Sequence, residues 1–344
     1  MRPSHILGVA ALAALLAACA PAQRTAAADP ADALADSLGA RLRQQAESGF
    51  SGVVLVARDG GVVLREAYGP DVTPESPFWI GSVSKTVTAA AVLRLRDGGR
   101  LALTDSLPQF FDGVPPDKRG ITVRHLLTHT AGLGENYAAD GVADRAAAVR
   151  SILAPPLTRA PGEGYGYTND AYTLLAAVVE VASGQPFEAY LREHVLRPAG
   201  MNQTGFWGGP NPGGPLAPSG TPEAPGPNWG FRGATGLSST ADDLYRWHLA
   251  LLGDAVLPDR TRREAFAPQV DRSSGRAYGY GWQVVRTPRE TTLLAHNGAE
   301  SGLDHYAYLY RYVDDGVVVV VLSNAPEAVA RETLRAVLRS VFPT

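Results

Sequence analysis

Strand-forming residues are concentrated towards the two ends of this chain, and that separation limits the folds open to it. The segment GVVLVARDGGVVLREAY (52–68) holds two β-branched runs around Asp59-Gly60-Gly61, the pattern of a hairpin. Strand-like runs return only near the other end, as YGYGWQVV, TTLLAHNG, HYAYLYRY and GVVVVVLSN. Between them the spacing is mainly helical: Val83–Asp97 stops at Gly98-Gly99, Thr122 caps VRHLLTHT, Asp170–Ser183 stops at Gly184, and Ser239-Thr240 leads into another helix. Leu34, Leu38 and Leu42 place a first helix over Ala31–Glu47, and a last one runs from about Glu327 to Val341. The order predicts an α+β fold (an α/β sandwich), in which residues 31–79 and 267–344 make one antiparallel sheet flanked by the N- and C-terminal helices. Residues 80–266 are then a large, mainly helical insertion. Within it, residues 208–230 contain fourteen Gly or Pro in twenty-three positions and read as an irregular loop.

The start of the chain has a different character. Arg2 precedes an apolar segment, Ile6–Ala18, too short to span a bilayer comfortably and laid out like a secretory signal. Its end, Leu16-Ala17-Ala18-Cys19, resembles a bacterial lipobox. The resemblance implies a signal peptide over residues 1–18 and a lipid on Cys19, with residues 19–30 as a flexible tether. Cys19 is the single cysteine, so no disulfide framework competes for it. The expected location is the cell envelope, anchored to a bacterial membrane. A formal charge of −3 and the absence of basic runs argue against a nucleic-acid partner.

Chemistry concentrates in WIGSVSKTVTAAAVL (79–93). On a helix, Ser82 and Lys85 stand at i and i+3 and share a face, whereas Ser84 does not. Of the 31 basic residues 29 are arginine, so lysine at 85 is a rare choice in this chain. Arginine stays charged in proteins, while a buried lysine can give up its proton. A helix start and a dry, apolar setting both disfavour the ammonium and favour a usable base. The first N–H groups of that helix supply an oxyanion donor. The alternative on these residues alone is an ordinary cap, since serine favours helix starts.

Further segments follow in order: ITVRHLLTHTAGL (121–133), PGEGYGYTNDAYTLLAAVVEVASGQPFEAYL (161–191), GATGLSSTADDL (233–244) and AHNGAESGLDHYAYLYRYVDDGVVVVVLSN (295–324). With S-x-x-K, this set resembles the serine β-lactamase-like, or penicillin-binding-protein-like, hydrolases, most closely the class C β-lactamase, esterase and D-amino-acid peptidase branch. The likeness spans roughly residues 32–342. It implies Ser82 as acylated nucleophile, Lys85 as its proton partner, and Tyr167 of Tyr167-Thr168-Asn169 as general acid or base. It also implies that Asn169 and the triplet His296-Asn297-Gly298 line the substrate cleft, with Ala299 supplying a second oxyanion N–H. An ammonium beside Tyr167 is expected to lower the phenol's pKa, coupling the two groups. Relatives that hydrolyse β-lactams carry lysine where this chain has His296, a side chain mostly neutral at pH 7.

These observations point to an exported serine hydrolase, without cofactor or metal, acting on an ester or a D-amino-acid amide or peptide. A β-lactamase or DD-carboxypeptidase on the same machinery is the alternative, and a non-catalytic envelope-binding lipoprotein is a third reading. Other sites fit less well. His125 and His129 stand at i and i+4 on one predicted helix, but Leu126 occupies the place of the glutamate that a zinc protease needs. No G-x-S-x-G elbow is present, and SVSKT lacks the upstream glycines of a phosphate loop. Tyr165 rivals Tyr167, but lacks an asparagine two residues on. Phe206, Trp207, Trp229 and Phe231 flank the Gly/Pro loop, either as cleft lining or as packing beneath it.

Overall fold

The structure, a computed structural model, describes residues 30–134, 137–219, 228–273, 275–300 and 304–343. Cys19 and the leader lie outside the described residues, as do residues 220–227 of the Gly/Pro loop. No helix among the described residues is long and apolar enough to cross a membrane.

Helix α1 (Pro30–Glu47) leads into the hairpin of β1 (Gly52–Arg58) and β2 (Gly61–Tyr68). Its two-residue turn places Asp59 and Gly60 both at positive φ, as a turn matching the strand twist requires. The short strand β3 (Phe78–Trp79) and a single 3-10 turn (Gly81–Val83) then open α2 (Ser84–Asp97). Next come α3 (Val123–Leu127), α4 (Arg145–Leu153), α5 (Asn169–Ser183) and α6 (Phe187–Leu191). Strands β4 (Gly205–Phe206) and β5 (Leu237–Ser239) precede α7 (Ala241–Ala250) and α8 (Asp259–Phe266). The remaining strands are β6 (Val270–Ser273), β7 (Arg276–Tyr278), β8 (Gln283–Arg286), β9 (Thr292–Glu300), β10 (His305–Tyr312) and β11 (Val317–Ser323), and α9 (Glu327–Val341) closes the fold.

The large sheet has the order β2-β1-β11-β10-β9-β8-β7-β6 and every pairing in it is antiparallel. Gly52 pairs with Ser323 and Arg58 with Val317, so the first strand joins the last. The valine run explains why β11 sits inside the sheet. Val317, Val319 and Val321 enter a core beneath α1 and α9, while Val318, Val320 and Leu322 enter the larger core on the opposite face. A strand apolar on both faces needs cover on both, and alternation in β1 divides the same way, Val54 and Val56 against Val53 and Leu55. Helix α9 meets its core through Ala330, Leu334, Val337 and Val341, a helical stripe. Each buried Val or Leu contributes about 1.5–3 kcal/mol over exposure, which is far more than the few tenths that the exposed i,i+4 ion pair Arg331–Glu327 adds.

Two local expectations need correction. YGYGWQVV is no single strand: Tyr278 ends β7, Gln283 begins β8, and a tight turn joins them. Gly281 makes that turn possible, with φ +79° and no room for a Cβ, which would lie 2.8 Å from Lys85 O. The helix capped by Thr122 is only five residues long, so His125 and His129 do not share a helix face. The capping itself is as drawn from the sequence, because Thr122 accepts from His125 N–H. A second sheet, β3-β5-β4, joins the start of α2 to the ends of the Gly/Pro loop.

Candidate active site

Ser82 lies in the 3-10 turn that feeds α2, and two backbones are pressed together around it. Gly81 is in the left-handed region, φ +48°, where a Cβ would come within 2.7 Å of Ala299 N. Gly298 faces Ile80, and a Cβ there would lie 1.9 Å from Ile80 O. Glycine at both positions lets β9 run directly against the turn that carries Ser82. Val83 N–H donates to Ile80 O at 3.1 Å and Ile80 N–H to Leu237 O at 2.9 Å, fixing the turn from both sides.

Lys85, on the first turn of α2, is fully buried. Its Nζ donates to Ser82 Oγ (2.9 Å), Asn169 Oδ1 (2.6 Å) and Ala234 O (3.0 Å), and lies 4.9 Å from the centroid of the Tyr167 ring. Tyr167 OH donates to the same Ser82 Oγ at 2.7 Å. Asn169 is the first residue of α5, whose N-cap is Thr168, accepting from Asp170 N–H at 3.2 Å. The serine, the lysine, the tyrosine and the asparagine, spread over 88 residues of sequence, thus meet at one point. Burial pushes the Tyr167 phenol up, opposite to the lowering expected from a neighbouring ammonium. The sequence reveals the charge but not the enclosure, and desolvation outweighs the hydrogen bond to Ser82.

His296 is placed differently from a residue on the cleft surface. It is 1% exposed, points into the core beneath the sheet, and engages both ring nitrogens within the protein. Nδ1–H donates to Asn297 O at 2.8 Å, which leaves Nε2 to accept from Tyr278 OH at 3.1 Å. Burial, then the Lys85 charge, push it down to about 3, so the imidazole is neutral throughout the ordinary pH range. Asn297, Gly298 and Ala299, by contrast, line an open cavity with Ser82, Asn169 and Tyr137 that continues along β10 to Arg331 and Leu334 of α9, about 700 Å³ in all. Strand β8 begins opposite Ala295, so β9 beyond Ala295 has no partner on its β8 side among the described residues.

Several neighbours were not legible as site residues. Tyr137, at φ +65°, joins the cleft wall, and the Asp170 carboxylate accepts from the next N–H, that of Ala138 (3.1 Å). The ring of Tyr137 meets Phe231 edge-on at 5.6 Å, Phe231 meets Trp207 at 4.5 Å, and Trp207 lies 4.8 Å from Trp79. Of the loop-flanking aromatics, Phe206 and Trp229 are buried in the core. Tyr165 stacks against Arg272, 4.8 Å away, and its buried hydroxyl has no hydrogen-bond partner among the described residues. His129, at φ +56°, packs on Tyr167, 4.3 Å between ring centroids. The nearby His125 instead accepts from Thr122 N–H through Nδ1, closing the cap of α3.

Comparison with known proteins agrees with this arrangement. The family model "Beta-lactamase" matches residues 32–341. Penicillin-binding protein 4* of Bacillus subtilis (strain 168) is 27% identical over 317 residues, covering 81% of this chain and 69% of that protein. Esterase EstB of Burkholderia gladioli is 36% identical over 185 residues, 45% of this chain and 46% of its own length. A beta-lactamase/D-alanine carboxypeptidase from Pseudomonas syringae shares the fold with a TM-score of 0.77, at 20% identity, over 90% of this chain and 100% of that one. With its sheet, its buried lysine and its tyrosine converging on one serine, the chain belongs to the beta-lactamase family and is a serine hydrolase.

Proposed function

We propose that this hydrolase forms an acyl-enzyme on Ser82 and acts on esters or on D-amino-acid amides and peptides. The observation that carries the reading is the pair of contacts on one oxygen, Lys85 Nζ at 2.9 Å and Tyr167 OH at 2.7 Å from Ser82 Oγ. Burial keeps Tyr167 protonated, so the base is Lys85 in its neutral amine form, whose lone pair on Nζ takes the serine proton as Oγ attacks the substrate carbonyl and so regenerates the ammonium. The backbone N–H groups of Ser82 and Ala299 receive the oxyanion. Collapse of the tetrahedral intermediate expels an alkoxide or amine, which Tyr167 protonates, and Lys85 reprotonates the tyrosine. Water then hydrolyses the acyl-serine through the same groups in reverse. Asn169 holds Lys85 in register with Ser82 and presents its side-chain amide to the cleft.

Substrate choice rests on His296. A neutral, enclosed imidazole offers no fixed charge to a substrate carboxylate, which favours uncharged esters and amides over β-lactams. The stretch similar to esterase EstB supports the same preference. We further propose export and lipid anchoring at Cys19, on the lipobox-like sequence. Incubation with a fluorophosphonate and with penicillin, followed by peptide mass mapping, is expected to label Ser82. No adduct from either reagent, or one that persists in Ser82→Ala, sinks the assignment. Turnover of p-nitrophenyl esters is expected well above that of nitrocefin. Detergent partitioning lost in Cys19→Ser tests the anchor.

A further inference from the structure

The loop that carries Tyr167 is gripped by one residue that is not part of the serine–lysine–tyrosine contact. His129 O accepts from Gly166 N–H at 2.8 Å, and His129 Nδ1 accepts from Thr168 N–H at 3.3 Å. The residues before and after Tyr167 are therefore both bonded to His129, while its imidazole lies against the Tyr167 ring at 34° between planes. Tyr172 and Tyr278 close the other sides of the imidazole, at 5.0 Å and 4.9 Å between centroids. The residue is fully buried and adopts the left-handed conformation, which a histidine takes at an energetic cost and which directs its side chain back under the loop.

Accepting from Thr168 N–H requires a lone pair on Nδ1, and so a neutral ring with its proton on Nε2. The surroundings enforce this. Lys85 of α2, His296 of β9 and Arg272 of β6 face the ring with positive or neutral groups, the other neighbours are tyrosines, and burial opposes an added charge. Nε2 finds no hydrogen-bond partner among the described residues. The imidazole is thus kept for its Nδ1 lone pair and its flat face, both directed at the tyrosine loop.

We propose that His129 is the positioning residue for Tyr167: by holding the N–H groups on either side and stacking on the ring, it keeps the phenol oxygen at hydrogen-bond distance from Ser82. This rests on the acyl-enzyme reading, in which Tyr167 moves the proton to the leaving group. A misplacement of about 1 Å in a reacting group costs on the order of 10²-fold in rate.

The test is a double-mutant cycle on kcat for an alkyl ester, whose poor leaving group needs the proton of Tyr167, with fluorophosphonate labelling of Ser82 as the check on the parent enzyme. His129→Phe keeps a flat ring but removes the acceptor; His129→Asn keeps an acceptor at the Nδ1 position and tolerates left-handed backbone. His129→Phe is expected to lower kcat for the alkyl ester about 10-fold or more, with KM within about 2-fold. In a Tyr167→Phe background the same change is expected to cost less than about 2-fold, because its target is already gone. His129→Asn is expected to recover most of the loss. Equal losses in both backgrounds, or a His129→Phe enzyme as fast as the parent, overturn the proposal. Should His129→Phe fail to fold, the His129→Asn pair is measured in the same two backgrounds, and a loss independent of Tyr167 overturns it equally. A parent enzyme that is not labelled at Ser82 refutes the acyl-enzyme reading instead, so the two failures are distinct.

Discussion

Lys85 and Arg311 are basic side chains buried in this fold, and their surroundings differ in kind. Lys85 has the Tyr167 and Tyr172 rings at 4.9 and 5.6 Å, but its hydrogen bonds all go to oxygen: a serine hydroxyl, an asparagine carbonyl and the backbone carbonyl of Ala234. Arg311, 1% exposed on β10, is wrapped in rings, with Phe266 at 5.0 Å, Trp282 at 5.4 Å and its Nε donating to His248 Nδ1 at 3.1 Å. Its Nη1 has no partner among the described residues. Aromatic faces and an imidazole lone pair can hold a cation in place, but they give a proton nowhere productive to go. Oxygen neighbours that include a nucleophile provide such a route. Of the two lysines in the chain, Lys118 is bonded to Asp117, and Lys85 alone stands against Ser82, where arginine could not give up a proton.

The sharpest way to break this contrast is to exchange the chemistry at the site. Lys85→Arg retains charge and donors but cannot accept a proton, and kcat is expected to fall about 10³–10⁴-fold while the circular dichroism spectrum is unchanged. An active Lys85→Arg enzyme would mean that the serine proton leaves by another route. Tyr167→Phe removes the donor to the leaving group, with an expected loss of about 10²–10³-fold, smaller for substrates with good leaving groups such as p-nitrophenol. A loss that ignores leaving-group pKa would reassign the tyrosine.

Acid stability tests the dry surroundings shared by both basic side chains. His296 and His248 are each pushed from 6.5 down to about 3 by burial, with Lys85 and Arg311 respectively as the next cause. Their folded pKa values lie below the unfolded ones, so under pH 6.5 the unfolded chain binds more protons than the native one. The stability they contribute is complete above pH 6.5 and is lost as pH falls towards 3. By pH 5 the loss is about 2 kcal/mol for each histidine, read from urea unfolding at pH 7.5 and 5. A flat profile over that range would show that the two rings are hydrated. The smallest effect is expected at the other basic side chain. Arg311→Met exchanges a buried charge for an apolar chain of similar length and should leave stability unchanged or raise it by about 1–2 kcal/mol, with kcat/KM within about 2-fold. A large loss of activity in that variant would tie Arg311 to the site after all.

What the sequence revealed, and what it concealed, follows physical range. Hairpin β1–β2, helix α9 and the stop of α5 at Gly184 are written in local pattern, because turn geometry, amphipathic spacing and a left-handed cap act over a few residues. The sheet β3-β5-β4 is not, since strands of two and three residues are too short to show a period. Ser82 and Lys85 were raised by their spacing, Tyr167 and Asn169 by the resemblance to the family, and the structure brings these four together. His296 was found as well, but its direction into the core depends on strand register, which composition does not reveal. Tyr137 was not singled out, and His129 was weighed only as a metal-ligand candidate, because the place of each depends on left-handed backbone at a residue other than glycine, set by distant partners.

The pairing of β1 with β11 also sets an order in time. The valine-rich hairpin leaves the ribosome early, yet the strand it pairs with is nearly the last to be made. Until then the hairpin's inner edge is an unsatisfied template, able to capture other chains, and such distant pairing makes folding slow. Ser82 lies just after that hairpin, but Ala299, whose backbone packs against Gly81, is synthesised more than two hundred residues later. On the proposed mechanism, the two oxyanion N–H groups come together only when the two ends of the chain meet.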